Sequence, residues 1–278
     1  MDGAAIRWLA GHALDLNKLT SLAKAIGRAR DNGVPVEGLS PLRLALFSNG
    51  TTSLLVPALI ASVARYGFLL DVIEAPFDQA MQAALDPASE VNTSAPDVAL
   101  LAFDQHIVPV PLNMADREEA ADIVDAAVAQ IDAIRGGIAA ASGATVIVQT
   151  LPPPPTHLIG SYDLRLPGAP VSLAKTVNVQ LTDMLNGSGD LLLDVGGLAQ
   201  MVGLNEWHDA NQWHLAKLAY TQTAVPLYAD YVGRLLAAYK GKSRKCLVLD
   251  LDNTVWGGVI GDDGVSGIAL GQGDPVGE

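Results

Sequence analysis

Two aspartates, Asp250 and Asp252, close the apolar run Cys246-Leu247-Val248-Leu249 and lead into Asn253-Thr254 and Trp256-Gly257-Gly258. Side chains alternate sides along a strand, so carboxylates two positions apart project from the same side. At the carboxyl end of a buried strand, such a pair stands where open α/β sheets do their chemistry. Paired carboxylate oxygens suit a hard cation such as Mg²⁺. An aligned carboxylate nucleophile with its charge neutralised is most of what phosphoryl transfer requires. A strand that merely ends in an acidic turn is the plainer reading, but the full string is far less common than two aspartates after an apolar run.

The stretch from Lys245 to Thr254 resembles the first motif of the haloacid dehalogenase (HAD) superfamily, a hydrophobic strand followed by Asp-x-Asp-x-Thr. The resemblance implies that Asp250 is the phosphoryl-accepting nucleophile and a Mg²⁺ ligand. It implies that Asp252 is the general acid and later the base, with its backbone carbonyl on the metal. With Trp256-Gly257-Gly258 and Gly261-Asp262-Asp263-Gly264, the stretch is similar to the FkbH-like branch. Members of that branch take a phosphoglyceryl group from 1,3-bisphosphoglycerate, remove its phosphate and load glycerate onto the phosphopantetheine thiol of an acyl carrier protein in polyketide-type biosynthesis. An additional domain usually precedes their HAD domain, and this chain has that layout.

The same resemblance calls for a Ser/Thr, a Lys and a second acidic pair, and none can be located between Thr254 and Glu278. The expectation is therefore an amino-terminal portion of a longer protein, with the HAD activity belonging to the parent and the fragment itself inactive.

The composition narrows the possible partners. Lys plus Arg total 17 against 30 Asp plus Glu, a net charge of −13, which argues against a nucleic-acid partner. Carrier proteins are themselves usually acidic, so docking one would need a local basic patch such as Lys240, Lys242, Arg244 and Lys245, which reads equally as a solvated linker. One cysteine, Cys246, excludes an intrachain disulfide and suits a cytoplasmic location. Its place at the far end of the strand from Asp250 reads as a packed, inert thiol. No leader pattern and no apolar stretch of spanning length is present.

Positioning the aspartates and whatever precedes them falls to an alternating series. A helix is expected over 14–30 and a linker to 41. Strands are expected at 43–48, 68–74, 98–103, 145–150 and 191–195, with helices at 52–66, 77–85, 115–141, 171–185 and 228–239. Several strands are apolar throughout, as when both faces are covered. The fold class is α/β, a doubly wound parallel sheet of SGNH- or flavodoxin-like three-layer type, followed by the first strand and hairpin of a HAD-like Rossmannoid domain. The expected divisions are 1–40, 41–240 and 241–278, the last break falling at Lys240-Gly241-Lys242-Ser243-Arg244. Leu151 and the prolines 152–155 are expected to form a stiff loop at the carboxyl edge of the sheet.

The region before the HAD string resembles SGNH hydrolases, in which the first strand ends in a nucleophilic serine. The matching turn here is Ser48-Asn49-Gly50-Thr51-Thr52-Ser53, which puts Thr51 at or beside that position. The plain reading makes Thr51 or Thr52 a helix cap. The family's late Asp-x-x-His has its nearest match at Asn211 to His214, with Asp209 just upstream, and Asn cannot stabilise an imidazolium as Asp does. Ala102-Phe103-Asp104-Gln105-His106 stands where the family's third block belongs. Asn49, Thr51, Asp104, Asp209 and His214 are thus candidate pocket residues, with His214 and His106 read as structural or ligand-binding groups. His12, His157 and His208 show no metal-ligand spacing. Three functions compete: a glyceryl transferase and phosphatase whose HAD part is cut short, a non-catalytic scaffold or carrier-docking domain, and a divergent esterase or acyltransferase using Thr51 and His214.

Overall fold

The computed structural model describes residues 2–242 and 246–271. It comprises two compact units, Met1–Lys240 and Gly241–Glu278. The first unit begins with helices α1 (Gly3–Ala10) and α2 (Leu16–Asp31). Strand β1 (Ser40–Ser48) follows, then α3 (Leu55–Ala64), β2 (Phe68–Glu74), α4 (Ala80–Leu85), α5 (Glu90–Thr93) and β3 (Val98–Ala102). Next come α6 (Arg117–Ser142), β4 (Thr145–Gln149), α7 (Pro170–Leu185) and β5 (Leu191–Leu193). The unit ends with α8 (Val195–Val202), α9 (Leu204–Trp207), α10 (Ala210–Ala216) and α11 (Val225–Tyr239).

The five strands form one parallel sheet in the order β2-β1-β3-β4-β5. This is the doubly wound order in which β1 and β3 flank the point where the chain reverses direction across the sheet. Alternation along the strands divides the core in two. Leu42, Leu44 and Leu46 of β1 and Val98 and Leu100 of β3 face one layer with α1, α2, α3 and α11. Ala45, Phe47, Ala99 and Leu101 face the other, with α4, α6 and α7. Each such leucine removed from water contributes about 2 kcal/mol, which is why the strands are apolar on both sides. The two amino-terminal helices join the first of these layers.

Local chemistry sets the element ends. Asp116 accepts hydrogen bonds from the Glu118 and Glu119 amides to start α6, and Gly143, at φ 72°, ends it in the left-handed conformation. Strand β1 begins at Ser40, earlier than expected, despite Pro41. Residues 40–43 pair only with β2, so the missing proline N–H faces no second strand. Helix α3 starts later than expected, at Leu55 with Leu54 as its cap residue and no side-chain cap. Thr51 and Thr52 therefore do not cap it, and the Thr52 hydroxyl bonds the Glu74 carboxylate instead. Residues 151–155 are loop, as the prolines require.

In the second unit the expected strand is not formed among the described residues. Residues 246–250 pair with nothing, and Leu247 and Val248 are 79% and 89% exposed. A parallel strand needs hydrogen-bonding neighbours and covering helices, and no described residue supplies either. Cys246 is exposed rather than packed. The hairpin is represented by one antiparallel bridge, Gly257 to Ala269, and the one-turn helix α12 (Ile260–Asp263) lies between its arms. Ser243, Arg244 and Lys245 lie outside the described residues, and with them half of the expected basic patch. Lys240 pairs with Asp97 at 3.6 Å.

Candidate functional site

The crevice at the carboxyl ends of β1 and β3 is where this topology exposes side chains to a ligand. Asn49 leaves β1 there and Asp104 leaves β3. The Asn49 amide nitrogen donates to Asp104 Oδ1 at 2.7 Å, and its carbonyl oxygen accepts from the Asp104 backbone N–H at 3.1 Å. Asp104 is 1% exposed. It caps the short 3-10 turn Gln105–Ile107, accepting from the His106 amide at 3.0 Å, while His106 Nδ1 donates to Asp104 Oδ2 at 2.8 Å. A buried carboxylate is tolerated only when it is paired in this way.

The His106 ring is pinned a second time. It stacks on Trp213 of α10 with ring centroids 3.5 Å apart and planes 7° from parallel. A cavity of about 380 Å³ opens beside this pair, with Gln105, His106, His208, Asp209, Trp213 and His214 among its lining residues. Pro154, Pro155, Pro170, Val108 and Leu173 supply apolar wall. Burial pushes the pKa of His208 below its ordinary 6.5, against the opposing pull of the nearby Asp104 charge, so the ring is held neutral. Deeper in the sheet, Tyr228 donates to Gln149 Oε1 at 2.7 Å, and Gln149 donates to the Phe103 carbonyl at 2.6 Å.

The candidates singled out in sequence fall into three groups. Asn49 and Asp104 are bonded directly. Asp209 and His214 both line the His106 cavity, but Asp209 is spent on capping α10. Its oxygens accept from the Asn211 and Gln212 amides and the Gln212 side chain, so it orients no imidazole. Thr51 lines a different cavity, of about 390 Å³, with Ser48, Thr52 and Glu74. Its amide donates to the Lys217 carbonyl at 2.8 Å. Thr51 and His214 thus belong to separate cavities and do not form a nucleophile and base. His208 and Trp213 line the cavity without having been singled out, and His106, read in sequence as a structural or ligand-binding group, lines it with them. An apolar strand delivering Asp-x-His at its end was the available signal for His106.

In the second unit, Asp252 Oδ1 accepts from Trp256 Nε1 at 3.0 Å and the Ile260 amide at 3.1 Å. Asp250 is exposed and accepts from its neighbour, the Leu251 amide, at 2.9 Å. Asp263 is turned to the Val259 amide. Among the described residues no three His, Cys, Asp or Glu side chains converge, so this donor set does not fit a Mg²⁺ centre. No helix of the described residues is long and apolar enough to cross a membrane.

Comparison with known proteins places this architecture. A structure described as the N-terminal part of the protein BF1531 from Bacteroides fragilis, containing a phosphatase domain complexed with Mg, is similar over 95% of this chain and 67% of its own length. Its identity is 23% and its TM-score 0.78. The acetyl xylan esterase AlAXEase covers 70% of this chain and 100% of itself at 13% identity and a TM-score of 0.43. A GDSL-like lipase from Bacteroides thetaiotaomicron covers 79% and 99% at 10% identity and a TM-score of 0.38. No curated protein matches. Residues 43–236 match the family described as FkbH, N-terminal domain. On that match, which spans more than half of the sequence, the chain belongs to the FkbH family.

Proposed function

We propose that the chain serves a phosphatase and glyceryl transferase that loads a glyceryl unit from 1,3-bisphosphoglycerate onto an acyl carrier protein for polyketide-type biosynthesis. The observation that carries this reading is the order of two features: the FkbH amino-terminal domain over 43–236, then the Asp250-to-Thr254 string. In this reading the Asp250 carboxylate attacks phosphorus to form an acyl phosphate, and Asp252 hands a proton to the departing oxygen. Asp252 Oδ1 is engaged by two N–H donors, so Oδ2 is the oxygen left to carry that proton.

The test is phosphate release during carrier loading by the full-length protein. Asp250→Asn is expected to abolish release, because an amide cannot form the acyl phosphate. Near-normal turnover in that variant would refute the assignment.

The separation of Thr51 and His214 favours a binding role for the first unit over a Thr–His esterase. Thr51→Ala is accordingly expected to leave carrier loading within about twofold of the unsubstituted protein, and Thr51→Ala and His214→Ala each to change stability by at most ~1 kcal/mol. Robust hydrolysis of a simple ester by the chain, lost in both single variants, is the opposite result, because a nucleophile and its base act as a unit.

A further inference from the structure

Helix α10 borders the His106 cavity with none of its own residues buried, and Leu215 on it is 88% exposed. A short helix that buries no side chain is not held in place by the core. The segment that carries it, residues 209–218, leaves and rejoins the body at one firm base. There the carbonyl of Trp207, a residue 0% exposed, accepts from the Thr221 amide at 2.8 Å, and the Thr221 hydroxyl donates to the Glu206 carbonyl at 2.7 Å. Tyr220 packs on the rings of Trp207 and Tyr228, with centroids 5.4 and 4.8 Å away. A surface excursion whose ends are fixed side by side is a loop that can move as one piece.

Within the segment the backbone bonds to itself. The Trp213 amide donates to the Asp209 carbonyl at 3.0 Å, and the Lys217 amide to the Trp213 carbonyl at 2.8 Å. The Asp209 side chain caps the helix, and Lys217, at φ 54°, turns the chain back toward the base. Beyond the base, two hydrogen bonds or ring contacts tie the segment to the rest of the unit among the described residues. One is the stack of Trp213 on His106, with centroids 3.5 Å apart, and the other is the Thr51 amide donating to the Lys217 carbonyl at 2.8 Å. Asp104 holds the imidazole from the other side at 2.8 Å, so the body's half of the stack is fixed and Trp213 is the half free to leave.

The cavity of about 380 Å³ takes one wall from this segment, and the others from the turn after β3, the proline loop and the start of α7. We propose that residues 209–218 form a flap that swings as a rigid piece about the Trp207–Thr221 base to open and close this cavity, with the His106–Trp213 stack as its latch. Such a flap controls entry and release and shuts water out between them. The inference rests on neither the glyceryl reading nor the identity of a ligand.

The test uses the whole chain and two unlatched variants, His106→Ala and Trp213→Leu, the second of which leaves the bonds of Asp104 intact. Amide hydrogen exchange is followed by NMR. Opening breaks the Thr51 N–H bond to Lys217 while the bonds within α10 survive. Exchange at Thr51 is therefore expected to quicken by about fivefold in both variants, the factor for losing one ring pair of ordinary strength, with the amides of residues 213 and 217 unchanged. The ring of His208, whose Nε2 is buried in the closed form, should react about fivefold faster with diethyl pyrocarbonate, read by mass spectrometry of its peptide. Unchanged exchange at Thr51 in both variants would overturn the latch. Equal quickening at residues 213 and 217, or in β3 at the centre of the sheet, would show unfolding in place of a swing and overturn the flap. Quickened Thr51 exchange with unaltered labelling of His208 would mean that the movement does not open the cavity, and would overturn its role as a gate.

Discussion

Asp104 receives the Asn49 amide, the His106 backbone N–H and the His106 ring, and these three donors fix the imidazole's tautomer before any ligand arrives. His208 is placed differently: burial, more than any partner, sets its state. Because its folded-state pKa lies below the ordinary 6.5, the unfolded chain takes up the proton first as pH falls. The stability associated with neutral His208 is therefore fully present above pH 6.5 and declines as pH drops from there through the lower folded-state value. Thermal melts between about pH 7 and pH 5 should show a shallower fall for His208→Phe than for the unsubstituted chain. Identical slopes would mean that His208 titrates normally. Neither His208 nor Trp213 was legible as a site residue. A lone histidine and a helical tryptophan carry no local signal, and their meeting with a residue after β3 is decided by the sheet order. Asn49 and Asp104 were legible because each sits at a strand end.

At the level of elements, the strands were the readable part. Each is an apolar run between turn signals, and the helices that follow β1, β3 and β4 carry the 3.6-residue period. The short helices α8, α9 and α10 were not read. Four to eight residues hold about two turns at most, and their sequence mixes Gly, Asn and Trp without a clear face. Yet α10 carries Trp213 to the site, and its position depends on the turn after β1. A Cβ on Gly50 would stand 2.7 Å from the Lys217 carbonyl oxygen at the end of α10. Neither backbone can yield without moving the other. Gly50→Ala is expected to cost about 1–3 kcal/mol, read as a lower urea midpoint, and to quench or shift the fluorescence of Trp213 as its stacking on His106 loosens. Gly27 is the contrasting case: it lies inside α2 with nothing within 4 Å of its would-be Cβ. Gly27→Ala should raise stability by about 0.5–1 kcal/mol. Equal effects of the two substitutions would show that the β1 turn does not bear on α10.

Across the whole molecule, the sequence's loudest string and the His106 cavity lie in different units. The Asp250–Asp252 pair was expected on a strand end, where both carboxylates would share one side. A strand's geometry, however, comes from its neighbours, and among the described residues 246–250 have none. The two carboxylates instead satisfy local N–H groups: Asp252 takes Trp256 and Ile260, and Asp250 takes Leu251. Phosphoryl transfer by such a pair needs one carboxylate aimed at phosphorus, the other at the departing oxygen, and the accumulating negative charge neutralised. Here one oxygen of Asp252 is already spent, and among the described residues no third acidic or histidine side chain joins the two. The chain of 278 residues is therefore expected to give no Mg²⁺-dependent turnover of a phosphomonoester such as p-nitrophenyl phosphate above the rate of Asp250→Asn. Turnover that requires Mg²⁺ and vanishes in Asp250→Asn would show that the pair assembles a working centre in solution.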